Sequence, residues 1–292
     1  MSAAVSGVVS VLAQAKINLY FTITGRRADG LHLVDSLVGF TTLGDTLTIR
    51  SGEPLDIVCN GPFAAGMPLP HKNLVYKAAQ RLASAAGVPA RAHITITKNL
   101  PVAAGIGGGS TDAATALRAL VTLWGIEEGA VDMAAIGLSL GSDVPACLLG
   151  RTTYASGIGE ILEDAPVLPR AGVLLVNPGV ALVTASVFGA RRGGFNPADR
   201  LERAPADTTD MAAMLNERDN DLTDAAIRLC PVIRTVLAAL RDAPGCRLAR
   251  MTGSGATCFG LFDDAAAAIA AAPSLARDGW WIAPTELAAD NT

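Results

Sequence analysis

The chain has 292 residues, half of them hydrophobic, only 17% charged, and a formal net charge of −4. So apolar a composition excludes intrinsic disorder, and the acidic balance excludes sequence-independent binding to nucleic acid, which needs a basic face. Five scattered cysteines without a C-x-x-C pair suit reduced thiols in a cytoplasmic protein, and three distant histidines speak against a histidine-rich metal site. The first twelve residues lack a positively charged leader and cleavage site, and no apolar run reaches a membrane span, so neither signal peptide nor membrane contact is expected.

From Ala15 to Thr24 apolar and polar residues alternate, which predicts a half-buried strand with Lys16, Asn18, Tyr20, Thr22 and Thr24 on its polar face. A charged turn (Gly25 to Gly30) leads to strands over 31–42 and 46–50. Residues 54–70 read as loop. Asn73 opens a helix that Gly87-Val88-Pro89 stops. A strand follows over 92–98, then a glycine-rich loop, then a helix over about 110–124. A short helix over 130–140 closes at Gly141. The next segment begins at Asp143, where Pro145 suits a first helical turn. Two strands flank a turn at residues 157–159, and 166–170 is the candidate linker. A buried strand over 173–176 precedes a polar, turn-rich stretch at 190–209. Helices over 210–216 and 221–241 lead to a strand near Arg250, a loop over 252–257, a strand over 258–262 and an alanine-rich helix over 264–272. Without strict βαβ alternation, the pattern predicts an α+β fold with antiparallel sheets.

The stretch from Pro101 to Asp112 (PVAAGIGGGSTD) carries the most chemistry. Glycines between a strand and a helix let backbone approach a ligand. The free N–H groups and dipole of the helix start favour an anion. Ser110 and Thr111 add hydroxyls that suit a phosphate or a magnesium ion. The loop matches neither G-x-x-x-x-G-K-[ST] nor G-x-G-x-x-G, so it is a phosphate cradle outside the two common classes, and a nicotinamide oxidoreductase is disfavoured.

That loop resembles the central motif of the GHMP kinases, a family that includes galactokinase, homoserine kinase and mevalonate kinase. Ala13-Gln-Ala-Lys16-Ile-Asn18-Leu is similar to the family's N-terminal motif. Met251-Thr-Gly-Ser-Gly-Ala-Thr-Cys-Phe259 is similar to its C-terminal glycine motif. The block Thr24 to His32 (TGRRADGLH), the triple glycine and Gly141-Ser-Asp143-Val-Pro145 resemble the branch that acts on a cytidyl diphosphate sugar alcohol in the non-mevalonate route to isoprenoids. One position departs: Leu31 stands where that branch usually has tyrosine.

The resemblance implies a two-domain fold. A mixed sheet and helix domain would span 1–165, an antiparallel-sheet α/β sandwich 166–292, and the active site the cleft between them. It implies ATP and Mg²⁺ as cofactors, a small-molecule acceptor, and a monomer or weak homodimer. Catalysis would fall to Lys16 and Asp143. On the nucleotide side it points to Asn73, Leu74, Lys98, Pro101, Gly105, Ile106, Gly107, Gly108, Gly109, Ser110 and Thr111. On the acceptor side it points to Asn18, His32, Ile158, Thr184 and Phe188. Bland readings stand beside these: Lys16 and Lys98 as strand lysines in water, Asp143 as a helix cap, Phe188 as core. The alternatives are another small-molecule GHMP kinase, such as homoserine or mevalonate kinase, and an inert nucleotide-binding regulator on the same fold.

Overall fold

The structure is a computed structural model that describes residues 8–52 and 54–289. Its elements in chain order are β1 (Val9–Arg26), β2 (His32–Arg50), β3 (Asp56–Asn60), α1 (Leu74–Ala86), β4 (His93–Thr97), α2 (Gly108–Leu123), α3 (Met133–Leu140), α4 (Val144–Leu149), β5 (Thr153–Gly157), β6 (Ile161–Asp164), β7 (Gly172–Asn177), α5 (Thr184–Ala190), α6 (Thr208–Asn216), α7 (Thr223–Leu229), α8 (Val232–Asp242), β8 (Leu248–Met251), β9 (Cys258–Phe262), α9 (Ala265–Ala271) and β10 (Trp281–Glu286). Among the described residues no helix is long and apolar enough to cross a membrane.

The chain packs into two compact units, each assembled from several stretches of sequence. The first takes residues up to Ala15, Gly44–Val102 and Gly107–Leu149. In it β4 lies antiparallel to the second half of β2 (Thr46–Arg50) and parallel to β3. Helices α1 and α2 cover this sheet with Val75, Ala78, Leu82, Ala113, Leu117 and Leu120, which meet Leu47, Ile49, Ile94 and Ile96 in one apolar cluster. Period 3.6 on the helices and period 2 on the strands aim these residues inward. Asn73 caps α1 by accepting the Val75 N–H at 2.9 Å, and Gly87 ends it in the left-handed region, where glycine adopts a positive φ without strain.

The second unit takes Lys16–Leu43, Ala103–Ile106 and the chain from Gly150 onward. There the first half of β2 (Val34–Val38) pairs antiparallel with β5, and β5 with β6. A separate antiparallel sheet runs β10-β7-β9-β8. Leu174, Val176, Val187, Ile233, Val236, Leu240 and Phe262 form its core with helices α5, α7, α8 and α9.

Several sequence expectations change. The two strands expected over 31–42 and 46–50 are one strand, because nothing between them breaks extended backbone. The helix expected over 221–241 is two, α7 and α8, separated at Cys230-Pro231, since proline cannot donate to the preceding turn. β3 lies within the stretch read as loop, and β10 and α5 were not foreseen. Most of the polar face of β1 is not solvated: Lys16, Asn18, Tyr20 and Thr22 are buried, and Thr24 at its end is half-buried. The polar stretch near residue 200 is pinned. Asn196 donates its backbone N–H to the Ile23 carbonyl at 3.0 Å, and Arg200 Nε reaches the buried Asp35 carboxylate at 2.9 Å.

Candidate active site

In the first unit the site is built on the start of α2. Gly107, at φ 64°, is the left-handed cap residue, and its carbonyl takes the N–H groups of Ser110 and Thr111 at 2.8 Å each. Helix geometry leaves the Gly108 and Gly109 N–H groups outside the ladder, and the first turn carries no acidic side chain. Thr111 Oγ1 is used internally, donating to the Gly108 carbonyl at 3.0 Å. The cradle therefore offers backbone donors and the Ser110 hydroxyl.

Lys98 lies directly beneath this turn. A Cβ on Gly108 would come within 3.0 Å of its Nζ. The ammonium is buried and bonds two carboxylates, Asp45 and Asp112, the latter at 2.9 Å. Asp45 Oδ1 also accepts the N–H groups of Asn99 and Leu100, at 2.6 and 2.9 Å, so it fixes the chain just before the glycine loop. Burial, opposed by Lys98 and reinforced by Asp45, pushes Asp112 up to about 7. Burial works against the charge on Lys98, but Asp112 and Asp45 outweigh it and hold its pKa above the ordinary lysine value. Asp112 Oδ1 is buried with no hydrogen-bond partner among the described residues. Asn73 Nδ2 is in the same condition, although Asn73 Oδ1 caps α1. Leu74 lies against Gly109, 3.6 Å from a Cβ placed there. Asp143 immediately precedes α4, and its carbonyl accepts the Cys147 N–H at 3.1 Å, the cap geometry that the sequence allowed.

The second unit holds Lys16 and Asn18 side by side on β1. Lys16 Nζ donates to Asn18 Oδ1 at 2.9 Å. Asn18 Nδ2 donates to Ser36 Oγ at 2.8 Å, and the Asn18 N–H donates to Thr252 Oγ1 at 2.8 Å. Lys16, Asn18, Ser36 and Thr252 are all at most 3% exposed. The Lys16 N–H meets the Ile106 carbonyl at 3.0 Å, which ties β1 to the glycine stretch. Beside it the loop joining β8 and β9 packs backbone to backbone against Ala104 and Gly105. Thr257 donates its N–H to the Ala104 carbonyl at 3.1 Å. A Cβ on Gly105, whose φ is +77°, would stand 2.5 Å from the Gly255 carbonyl oxygen. Only glycine permits that approach, as the spacing of Gly253 and Gly255 suggested.

His32 and Phe188 come together as a tilted ring pair, centroids 5.2 Å apart, with Phe21 edge-on to Phe188 at 6.2 Å. Burial, then the positive charges of Arg26 and Arg191, holds His32 below the ordinary imidazole range. Thr184 opens α5, its hydroxyl 2.9 Å from that of Ser254. Ile158 sits in the β5–β6 turn and donates its N–H to Glu160 at 2.5 Å. Leu31 is 49% exposed beside His32.

Sequence reasoning found Lys16 with Asn18 and His32 with Phe188. It did not find their supports: Ser36, Thr252, Asp45 and the role of Asp112. A lone acid in an alanine-rich helix was the available signal for Asp112, but its partners stand 14 residues away (Lys98) and, through Lys98, 53 further (Asp45). Arg191 was missed as well. Its side chain is 7% exposed, its Nε has no partner among the described residues, and it lines a cavity of about 640 Å³ with Asn220, Asp221 and Arg250.

Comparison with known proteins defines the class first. Residues 73–151 match the GHMP kinases N terminal domain and residues 205–279 the GHMP kinases C terminal domain; the chain is a kinase of this superfamily. At closer range, the 4-diphosphocytidyl-2-C-methyl-D-erythritol kinase of Paramagnetospirillum magneticum is 50% identical over 280 residues, covering 95% of this chain and 98% of the relative. That of Rhodospirillum rubrum is 47% identical, covering 96% and 92%. A crystal structure of 4-(cytidine 5'-diphospho)-2C-methyl-D-erythritol kinase superposes with a TM-score of 0.79 at 33% identity, over 96% of this chain and 99% of that one. A homoserine kinase from Cytophaga hutchinsonii shares the fold alone, at 16% identity and a TM-score of 0.68. The chain belongs to the 4-diphosphocytidyl-2-C-methyl-D-erythritol kinase family.

Proposed function

We propose that this chain transfers the γ-phosphoryl group of ATP to the 2-hydroxyl of 4-diphosphocytidyl-2-C-methyl-D-erythritol, a step of the non-mevalonate route to isoprenoid precursors. The observation that carries this is identity of about half the residues, over nearly the full length, with kinases of that name. Homoserine and mevalonate kinases stand at 16% and 15%.

Phosphoryl transfer rests on positioning and charge stabilisation. Asp143 takes the proton of the acceptor hydroxyl as its oxygen attacks the γ-phosphorus. The bond to the β-γ bridging oxygen breaks and ADP leaves. Lys16, oriented by Asn18, offsets charge on the moving phosphoryl group. The backbone of Gly105 to Gly109 with Ile106, and the Ser110 hydroxyl, cradle the phosphates, with Pro101 in the loop before them, while Thr111 Oγ1 braces the turn from within. Asn73 and Leu74 line the adenine pocket, where the unpaired Asn73 Nδ2 supplies a donor for the base edge. Lys98 acts beneath the cradle, holding it in shape through Asp45 and Asp112. His32 and Phe188 hold the cytosine, with Thr184 and Ile158 at its rim.

No group of three or more metal-ligating side chains occurs among the described residues. Mg²⁺ would enter with the nucleotide, as this ion usually does, with the Ser110 hydroxyl placed to help hold it, and would offset phosphate charge. We place the reaction in the cytoplasm, where the five free thiols stay reduced.

A panel of acceptor alcohols offered with ATP tests the reading. The cytidyl diphosphate alcohol is expected to exceed homoserine and mevalonate in kcat/KM by several orders of magnitude. Preference for either of the others overturns it.

A further inference from the structure

We infer that Ser36 is a positioning residue for phosphoryl transfer: its hydroxyl fixes the side-chain amide of Asn18 in the one orientation that presents an oxygen to Lys16.

Ser36 Oγ lies 2.6 Å from the Tyr20 carbonyl. A carbonyl only accepts, so the single hydroxyl proton of Ser36 is spent there. Towards Asn18, at 2.8 Å, the same oxygen can then only accept. The group facing it must be the amide nitrogen, which leaves Asn18 Oδ1 facing Lys16 Nζ at 2.9 Å. An ammonium only donates, so both ends of the amide demand the same orientation. Turning the amide over would set NH₂ against NH₃⁺ and oxygen against an oxygen with no proton to give. Two buried hydrogen bonds would become two repulsions.

The surroundings hold Ser36 in this role. It is 1% exposed on β2, so no water replaces its lone pair. The strand that carries the Tyr20 carbonyl is itself tied to β2 next to Ser36, where Tyr20 donates its hydroxyl to Asp35 Oδ1 at 2.6 Å. Asp35 is tied in turn by Arg200. The Asn18 backbone is fixed separately by Thr252, so what Ser36 adds is the rotation of the amide, not the place of the strand. The hydrogen bonds of the Ser36 hydroxyl go to Asn18 and to the Tyr20 carbonyl.

The inference rests on Lys16 acting at the acceptor, and the experiment separates the two. Steady-state and single-turnover rates are measured for Ser36→Ala, Ser36→Cys, Ser36→Thr, Asn18→Ala, Lys16→Met and the double variant Ser36→Ala/Asn18→Ala, with thermal unfolding of each. Ser36→Ala is expected to lower kcat by about 10–100-fold, the scale of a misplaced catalytic group, with KM for ATP unchanged. Ser36→Cys keeps the volume and loses the strong acceptor, and is expected to fall with alanine. Ser36→Thr keeps the hydroxyl and is expected to recover most of the rate. In the Asn18→Ala background the Ser36→Ala change is expected to cost less than about 2-fold, because the two act as one unit. A full, multiplicative loss in that background overturns the inference, as does an unchanged kcat in folded Ser36→Ala and Ser36→Cys. If Lys16→Met itself retains turnover, it is the underlying reading of Lys16 that fails.

Discussion

Two buried lysines, one in each unit, show how the same side chain is put to different use. Lys98 is surrounded by opposite charge, with Asp45 and Asp112 both on its ammonium. Lys16 binds the neutral amide of Asn18, a contact that adds no compensating charge. An ammonium shared by two carboxylates, one of them with its pKa pushed up to about 7, belongs to a group with no net positive charge, and such a group does not neutralise a triphosphate. It is a brace, set where the chain turns into the glycine cradle. The Asn18 amide holds the Lys16 ammonium in direction without itself adding a charge. On the proposed reading, phosphate binding falls to the backbone N–H groups above Lys98 and charge stabilisation during transfer falls to Lys16.

The sharpest way to break this contrast is to remove each ammonium. Lys98→Met leaves two buried carboxylates without their cation and is expected to cost about 3–5 kcal/mol of stability, read by urea unfolding. Asp112→Asn keeps the Lys98–Asp45 pair and is expected to cost far less. A stable Lys98→Met that had lost only ATP affinity would make Lys98 a phosphate ligand instead. Lys16→Met is expected to do the converse: kcat lower by about 10²–10³-fold, with unfolding shifted by less than about 2 kcal/mol.

Smaller effects sharpen the acceptor side. Leu31→Tyr restores a ring beside His32 and is expected to lower KM for the cytidyl substrate about 10-fold, on the scale of an aromatic contact of ~1–1.5 kcal/mol. No change would move the base away from this corner. The smallest effect is the titration of His32. Its depressed pKa means that the neutral imidazole persists below the ordinary midpoint of 6.5 and is protonated only as pH falls further. An NMR titration should place its midpoint below 6.5, and Arg26→Gln should move it back up. A midpoint above 6.5 would contradict the surroundings assigned to it.

The sequence made some of this legible and hid the rest for physical reasons. The glycine cradle was readable because it is local: cap, first turn and hydroxyls lie within a dozen residues, and Gly105 and Gly107 both adopt a positive φ that glycine takes without strain. Asn73 as a helix cap was local too. Lys16 was visible by motif, but its burial was not, because period-2 alternation cannot tell a solvated polar face from one that packs against Ser36 and Thr252. The brace was invisible because Asp45 and Lys98 are 53 residues apart and only the β2–β4 register brings them together. Neither could the composition show that each compact unit is stitched from separate stretches, since β1 and β2 are unbroken strands that contribute to both.

The most direct test of the account is a ³¹P NMR spectrum of the protein with Mg²⁺, ATP and 4-diphosphocytidyl-2-C-methyl-D-erythritol, run beside Asp143→Asn. The account predicts ADP and one new phosphomonoester resonance on the acceptor, growing in equal amounts, and almost none of either with the variant. ATP left intact, or converted to ADP and free phosphate without a phosphorylated acceptor, would contradict it.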